Sequence, residues 1–159
     1  MRNIIYFFAF QNFLNNCSSL TNIKPSHEFT DISNFIIKAQ SEICALAEEA
    51  DGSEQKFCID EWDRKDGSIG KGITRVLEGG NLLEKAAANV SIIHGVLTSE
   101  RAKSMSSKGR SGIDSKGGQS YSAAALSLVF HSKSPRVPTF RADIRIFEVE
   151  GQRWFGGGA

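Results

Sequence analysis

Apolar and polar residues alternate with a period of two along two stretches near the end of the chain. In the first, Ala124, Leu126, Leu128 and Phe130 fall on one face, with Ser127, Val129 and His131 on the other. In the second, Phe140, Ala142, Ile144 and Ile146 alternate with Arg141, Asp143 and Arg145. This pattern predicts two half-buried strands. The connection over 132–138 carries Pro135 and Pro138, which end a strand and stiffen a loop. Paired as a hairpin, the strands send both apolar faces into one core and both polar faces onto one surface. That surface shows a hydroxyl, an imidazole, two guanidinium groups and a carboxylate, a wall suited to anions.

Upstream the period changes. Ile32, Phe35, Ile36, Ala39, Ile43, Leu46 and Ala50 recur at three- and four-residue spacings. They predict a packing helix over 30–50, with Thr30 or Asp31 as N-cap and Asp51-Gly52 as its stop. Lys38, Glu42, Glu48 and Glu49 lie off that stripe as charges without a function. A short strand is expected over 57–62. The glycine-rich 66–72 fails as a phosphate loop, because only Ser68 and Ile69 separate its glycines and Gly72 follows Lys71. It reads as a flexible loop, with a flap over substrate as the sharper alternative.

Strands over 73–78 and 82–96 are expected to meet at Gly79-Gly80-Asn81, residues that tolerate a tight turn. Glu84 and Lys85 default to solvated or cross-strand ion pairs, and His94 to a buried, hydrogen-bonded strand-end histidine. A short helix is predicted over 99–105. Residues 106–120, rich in Gly, Ser and Lys, read as a solvated loop too poor in apolar side chains to order itself. Its basic residues lack interleaved aromatics, so it is no nucleic-acid groove. The apolar run from Ile4 to Phe10 is too short to cross a bilayer. The first residues read as an extension or as a targeting segment.

These elements make an α+β fold: a mainly antiparallel sheet flanked by helices. Composition adds limits. The chain's 159 residues suit one domain, assigned to 30–159 after an extension or targeting segment over 1–29. A net charge of +1 gives no electrostatic case for a nucleic-acid or membrane-surface partner, and no integral membrane segment is predicted. Cys17, Cys44 and Cys58 form no C-x-x-C pair and read as reduced, mostly structural thiols.

The two strands also carry a family signature. Ser127 and His131, the Pro135-x-x-Pro138-Thr139 linker, Asp143-x-Arg145-x-Phe147-Glu148-Val149 and the ending Trp154-Phe155-Gly156-Gly157-Gly158 resemble the oxygen-dependent coproporphyrinogen III oxidases of tetrapyrrole synthesis. Trp62-Asp63-Arg64-Lys65, Ile73-Thr74-Arg75-Val76-Leu77, Glu84-Lys85-Ala86 and Asn89 to Gly95 resemble the family in the same order, so the match covers roughly Phe35 to Ala159. It implies coproporphyrinogen III as substrate, with two of its four propionates oxidatively decarboxylated to vinyl groups. Dioxygen is the implied oxidant, with no flavin or haem, and a divalent metal has sometimes been attributed to the family.

The resemblance implies substrate contacts for Ser127 and Arg145, and a metal link for His131. Asp143, where many members have asparagine, is placed to accept hydrogen bonds from pyrrole N–H groups. Arg141 stands where many members have a proton-donor histidine, and arginine holds its proton near neutral pH. It suits clamping a propionate, and the acid is unassigned. Spacing alone favours an Arg-Asp-Arg ladder that merely satisfies itself. The family also implies a homodimer and a longer chain, so this sequence is read as an N-terminal part or a truncated product. A product or paralogue that binds tetrapyrrole without turnover is the alternative, and an interaction module a third. The compartment, cytoplasmic or organellar, is undetermined.

Overall fold

The structure, a computed structural model, describes residues 24–64 and 69–159. The expectations for Cys17, for the run from Ile4 to Phe10 and for 65–68 of the glycine-rich loop lie outside these residues. Six strands form one antiparallel sheet in chain order: β1 (Cys58–Asp63), β2 (Ile69–Glu78), β3 (Leu83–Val96), β4 (Ser120–Ser132), β5 (Phe140–Val149) and β6 (Gln152–Gly158). Helix α1 (His27–Asp51) covers one face, and the shorter α2 (Ser99–Ser107) belongs to a cluster at one end of the other. This is the α+β architecture expected. Ile69–Gly72, read as part of a loop, opens β2 and pairs with β3.

The alternating residues build the covered face. Ala86, Ala88, Val90 and Ile92 of β3, Ala124, Leu126 and Leu128 of β4, and Ile146 of β5 are buried with Phe29, Ile36 and Cys44 of α1. Each large aliphatic among them contributes about 1.5–3 kcal/mol by leaving water. Small alanines on β3 let the helix approach, and the sheet's middle is therefore its best-packed part. Phe140 and Ile144 stay partly exposed, because α1 lies chiefly over β3 and β4. Burial pushes the Cys44 thiol up to about 11, which makes it inert, whereas Cys58 is exposed.

Helix α1 begins earlier than the stripe predicts. Ser26, not Thr30 or Asp31, is the N-cap: its Oγ accepts from the Phe29 N–H (3.1 Å) and donates to Glu148 (2.6 Å). Arg153 clasps the same carboxylate at 3.1 Å, so the helix start is tied to β5 and β6. The predicted stop holds, with Gly52 in the left-handed region at φ 64°.

Two acids near that stop have structural work. Asp51 accepts from the N–H groups of Asn81, Leu82 and Leu83 and from Ser53 Oγ, holding the β2–β3 turn, and these donors keep its carboxyl far below the usual range. Glu48, read as a charge without a function, accepts from the Phe57 N–H (2.8 Å) and pairs with Lys56 (3.0 Å). The turn at Gly79 (φ 69°) forms as expected, and Lys85 makes a cross-strand ion pair with Glu78.

The connection from α2 to β4 is more ordered than its composition suggests. Ile113 is buried with Leu97, Ala102, Met105 and Val149, while Gln119 ties Gly112, Asp114 and Glu150 together. One apolar anchor and one amide crosslink replace the broad burial that the segment lacks.

Candidate functional site

The face of the sheet opposite α1 follows from the register. Ser127 of β4 lies opposite Asn89 of β3 on one side and Asp143 of β5 on the other. Asn89 in turn faces Thr74 of β2, whose hydroxyl donates to it at 2.8 Å, and Asp143 faces Gly158 of β6. One polar row therefore crosses β2 to β5 and ends beside Gly158 of β6. Arg141 and Arg145 stand on either side of Asp143 along β5, opposite Val129 and Ala125. Period-two geometry sends all of them to the same face.

Ser127, Arg141 and Asp143 line one cleft of about 180 Å³, closed along one side by Gly158 and Ala159. Arg145 lies outside that cleft's lining, one step further along β5. Its Nη1 is 3.7 Å from Asp143 Oδ2, a loose ion pair. That oxygen is itself shielded from water and accepts no hydrogen bond. Among the described residues the Arg141 side chain has no ion-pair or hydrogen-bond partner. The ladder therefore closes on itself only in part, and leaves the Arg141 guanidinium to bind something else.

The glycine triplet shapes this region. A side chain at Gly156 would stand 2.9 Å from Arg145 Nε, so its absence leaves the guanidinium room to lie across β6. A Cβ at Gly157 would meet the Asp143 carbonyl, whereas Gly158 faces open space beside Asp143. Glycine in a strand often marks such a close approach.

His131 is exposed near the end of β4, with Nδ1 3.1 Å from Thr139 Oγ1. It does not line the cleft. Among the described residues no three His, Cys, Asp or Glu side chains gather as metal ligands. The residues around His131 thus do not fit a metal, and no chemistry is routed through one. His94 sits on the covered face, its Nδ1 2.8 Å from Ser122 Oγ and its ring edge-on to Phe29. Burial lowers its pKa, with Lys71 adding to the effect. It is half-buried, hydrogen-bonded and structural, as its position suggested.

Thr74 and Asn89 fall within the family motifs but were given no site role by sequence. Their signal was available in β3, where Lys85, Ala87, Asn89 and Ser91 alternate with the buried set. Its weakness is that alanine serves on both faces there.

Comparison with known proteins gives this geometry a lineage. A family model described as coproporphyrinogen III oxidase matches residues 31–159. The rat mitochondrial oxygen-dependent coproporphyrinogen-III oxidase is 38% identical over 140 residues, covering 85% of this chain and 31% of the rat protein. The human mitochondrial enzyme is 37% identical over 140 residues, covering 85% of this chain and 30% of its own length. The chloroplastic coproporphyrinogen-III oxidase 1 of Arabidopsis thaliana is 38% identical over 129 residues, 76% of this chain and 32% of its own. The chain thus spans about a third of these relatives. With the family match running over nearly all the described residues, through every strand and most of α1, the chain belongs to the coproporphyrinogen III oxidase family.

Proposed function

We propose that the open face binds coproporphyrinogen III and serves its oxygen-dependent oxidative decarboxylation to protoporphyrinogen IX. The observation that carries this reading is the cleft that brings Ser127, Arg141 and Asp143 together with Arg145 beside it. A flexible tetrapyrrole with carboxylates on its rim and N–H groups at its centre asks for fixed cations around an acceptor. Arg145 and Arg141 grip propionates, since a guanidinium stays charged and matches a carboxylate with two parallel N–H donors. Asp143 accepts from pyrrole N–H groups through its carboxylate, which lines the cleft. The Ser127 hydroxyl orients the ring between them.

Each reacting propionate loses carbon dioxide and a hydride from its β-carbon, leaving a vinyl group. One dioxygen takes the hydride and a proton and leaves as hydrogen peroxide. Dioxygen is the oxidant, with no organic cofactor required. The working unit is a homodimer, a reading that rests on the family resemblance. An organellar compartment follows the relatives named mitochondrial or chloroplastic, and among the described residues no helix is long and apolar enough to cross a membrane.

A second reading, binding without turnover, is favoured by one observation. An arginine side chain is no proton donor near neutral pH, so the residue at position 141 cannot serve as the acid. Oxygen uptake with coproporphyrinogen III separates the two, set beside equilibrium binding of oxidised coproporphyrin III. Uptake of one dioxygen per vinyl group formed supports the oxidase. Binding without uptake supports the second reading, and loss of both sinks the tetrapyrrole assignment. Under the second reading, Arg141→His adds a group that titrates near pH 6.5, and turnover then rises with a pH profile the arginine form lacks.

A further inference from the structure

Beyond Arg145 the open face of β5 becomes apolar. Phe147 packs between Tyr121 of β4, with centroids 5.3 Å apart and planes 21° from parallel, and Trp154 of β6 at 6.2 Å. Two arginines from the β3–β4 connection lie on this aromatic strip. The guanidinium carbon of Arg101 in α2 is 5.1 Å from the Tyr121 centroid and 5.3 Å from that of Phe147. Arg110 sits further out, 5.4 Å from the Trp154 centroid.

Arg101 is poorly explained by helix stability. It follows the Thr98 N-cap by three residues, in the first turn, where the helix dipole disfavours a cation. It is exposed, and among the described residues it has no ion-pair or side-chain hydrogen-bond partner. The two rings lie within cation–π reach of its guanidinium, so contact with them reduces the freedom to be lost when a carboxylate docks on its N–H groups. The position is also right. Phe147 is two residues along the strand from Arg145, about 7 Å, on the same face as Ser127 and Asp143.

We propose that Arg101 is a further carboxylate clamp of this site, taking one propionate of the tetrapyrrole whose other propionates lie against Arg141 and Arg145. This rests on the reading of the open face as a tetrapyrrole site. A ligand with acids spread around its rim needs cations that are spread as well. Arg141 and Arg145 flank Asp143 on a single strand, and Arg101 extends the cationic boundary past them.

Titration of the whole chain with two oxidised porphyrins tests this: coproporphyrin III with four carboxylates, and mesoporphyrin IX with two. Arg101→Gln keeps the reach and much of the packing, while Arg101→Ala removes both. Near-ultraviolet circular dichroism verifies that each variant is folded. Both variants are expected to bind coproporphyrin III roughly tenfold more weakly, the loss of one charge-assisted contact. Mesoporphyrin IX should change by less than about twofold, and added salt should narrow the difference. Unchanged coproporphyrin binding in Arg101→Gln, or equal weakening for both ligands, overturns the clamp. If wild type binds and Arg145→Ala weakens it while Arg101→Gln does not, only the clamp fails. If wild type binds neither porphyrin, the tetrapyrrole reading fails and the clamp with it.

Discussion

The two faces of the sheet treat their polar groups in opposite ways. Beneath α1, Gln40 is fully buried, and its amide donates to the carbonyls of Ile73 (2.7 Å) and Ala88 (2.9 Å). Ser33 returns its hydroxyl to the Phe29 carbonyl, and Glu148 is held by Ser26 and Arg153. On the open face Arg141 and Arg101 make no ion pair among the described residues, and Asp143 has only a loose pair with Arg145. Burying a polar group without a partner is costly, so most polar groups of the covered face find partners within the fold, Gln40 Oε1 and Arg75 Nε being exceptions among the described residues. The exposed side chains of the open face are under less pressure. Its unspent donors and acceptor are what recommend it as a binding surface, more than its charge as such.

Neighbouring residues of β4 give the sharpest way to break this contrast. Leu126 is 2% exposed on the covered face, and Ser127 is exposed on the other. Leu126→Ala is expected to destabilise the chain by about 2–5 kcal/mol, a transfer loss plus a cavity, read by urea denaturation. Ser127→Ala should change stability by less than about 0.5 kcal/mol while weakening coproporphyrin III binding. If Ser127→Ala unfolds the chain as readily as Leu126→Ala, the open face is structural and the functional contrast collapses.

The glycine triplet offers a finer version. At Gly157 a new Cβ meets backbone, the Asp143 carbonyl, and the β5–β6 pairing must shift. Gly157→Ala should therefore cost about 1–3 kcal/mol of stability. At Gly156 the Cβ meets only the flexible end of Arg145. Gly156→Ala should leave stability within about 0.5 kcal/mol but push the guanidinium aside and weaken porphyrin binding. Thermal melts and titrations on the same two variants separate the effects. Equal melting temperatures for the pair would show that β6 does not lie as closely on β5 as the register requires.

How much of this was legible in sequence depends on what set each position. The strands of the site were readable because β4 and β5 alternate cleanly, and alternation alone puts Ser127, Arg141, Asp143 and Arg145 on one face. The seam of α1 was harder. Its buried line runs through Phe29, Ser33, Ile36, Gln40, Cys44 and Asp51, three of them polar, whereas Phe35 and Leu46, counted in the apolar stripe, are 61% and 64% exposed. A hydrophobic pattern cannot see a polar residue whose cost is met by a partner dozens of residues away. The same blindness hid Asp51, whose role depends on the backbone of a distant turn, and Arg101, whose two rings come from β4 and β5, brought beside α2 only by folding.

The smallest expected effect probes the covered face through its one half-buried titratable base. His94 meets Phe29 from α1, Ser122 from β4 and Lys71 from β2, surroundings that disfavour the imidazolium and lower its pKa. The unfolded chain, with an ordinary value of about 6.5, therefore takes up a proton at higher pH than the folded one. Above pH 7.5 both forms are neutral and nothing is gained or lost. As pH falls through 6.5 the unfolded state binds more protons, so stability declines until the folded imidazole also protonates. Denaturation midpoints at pH 7.5 and 5.5 should thus differ slightly in wild type, and His94→Gln should shrink the difference. Carboxylates titrate mostly below this window, so they leave the comparison clean. An undiminished difference in His94→Gln would mean that the face beneath α1 admits the charge, and that its polar groups are less strictly matched than the hydrogen bonds of Gln40 and Ser33 suggest.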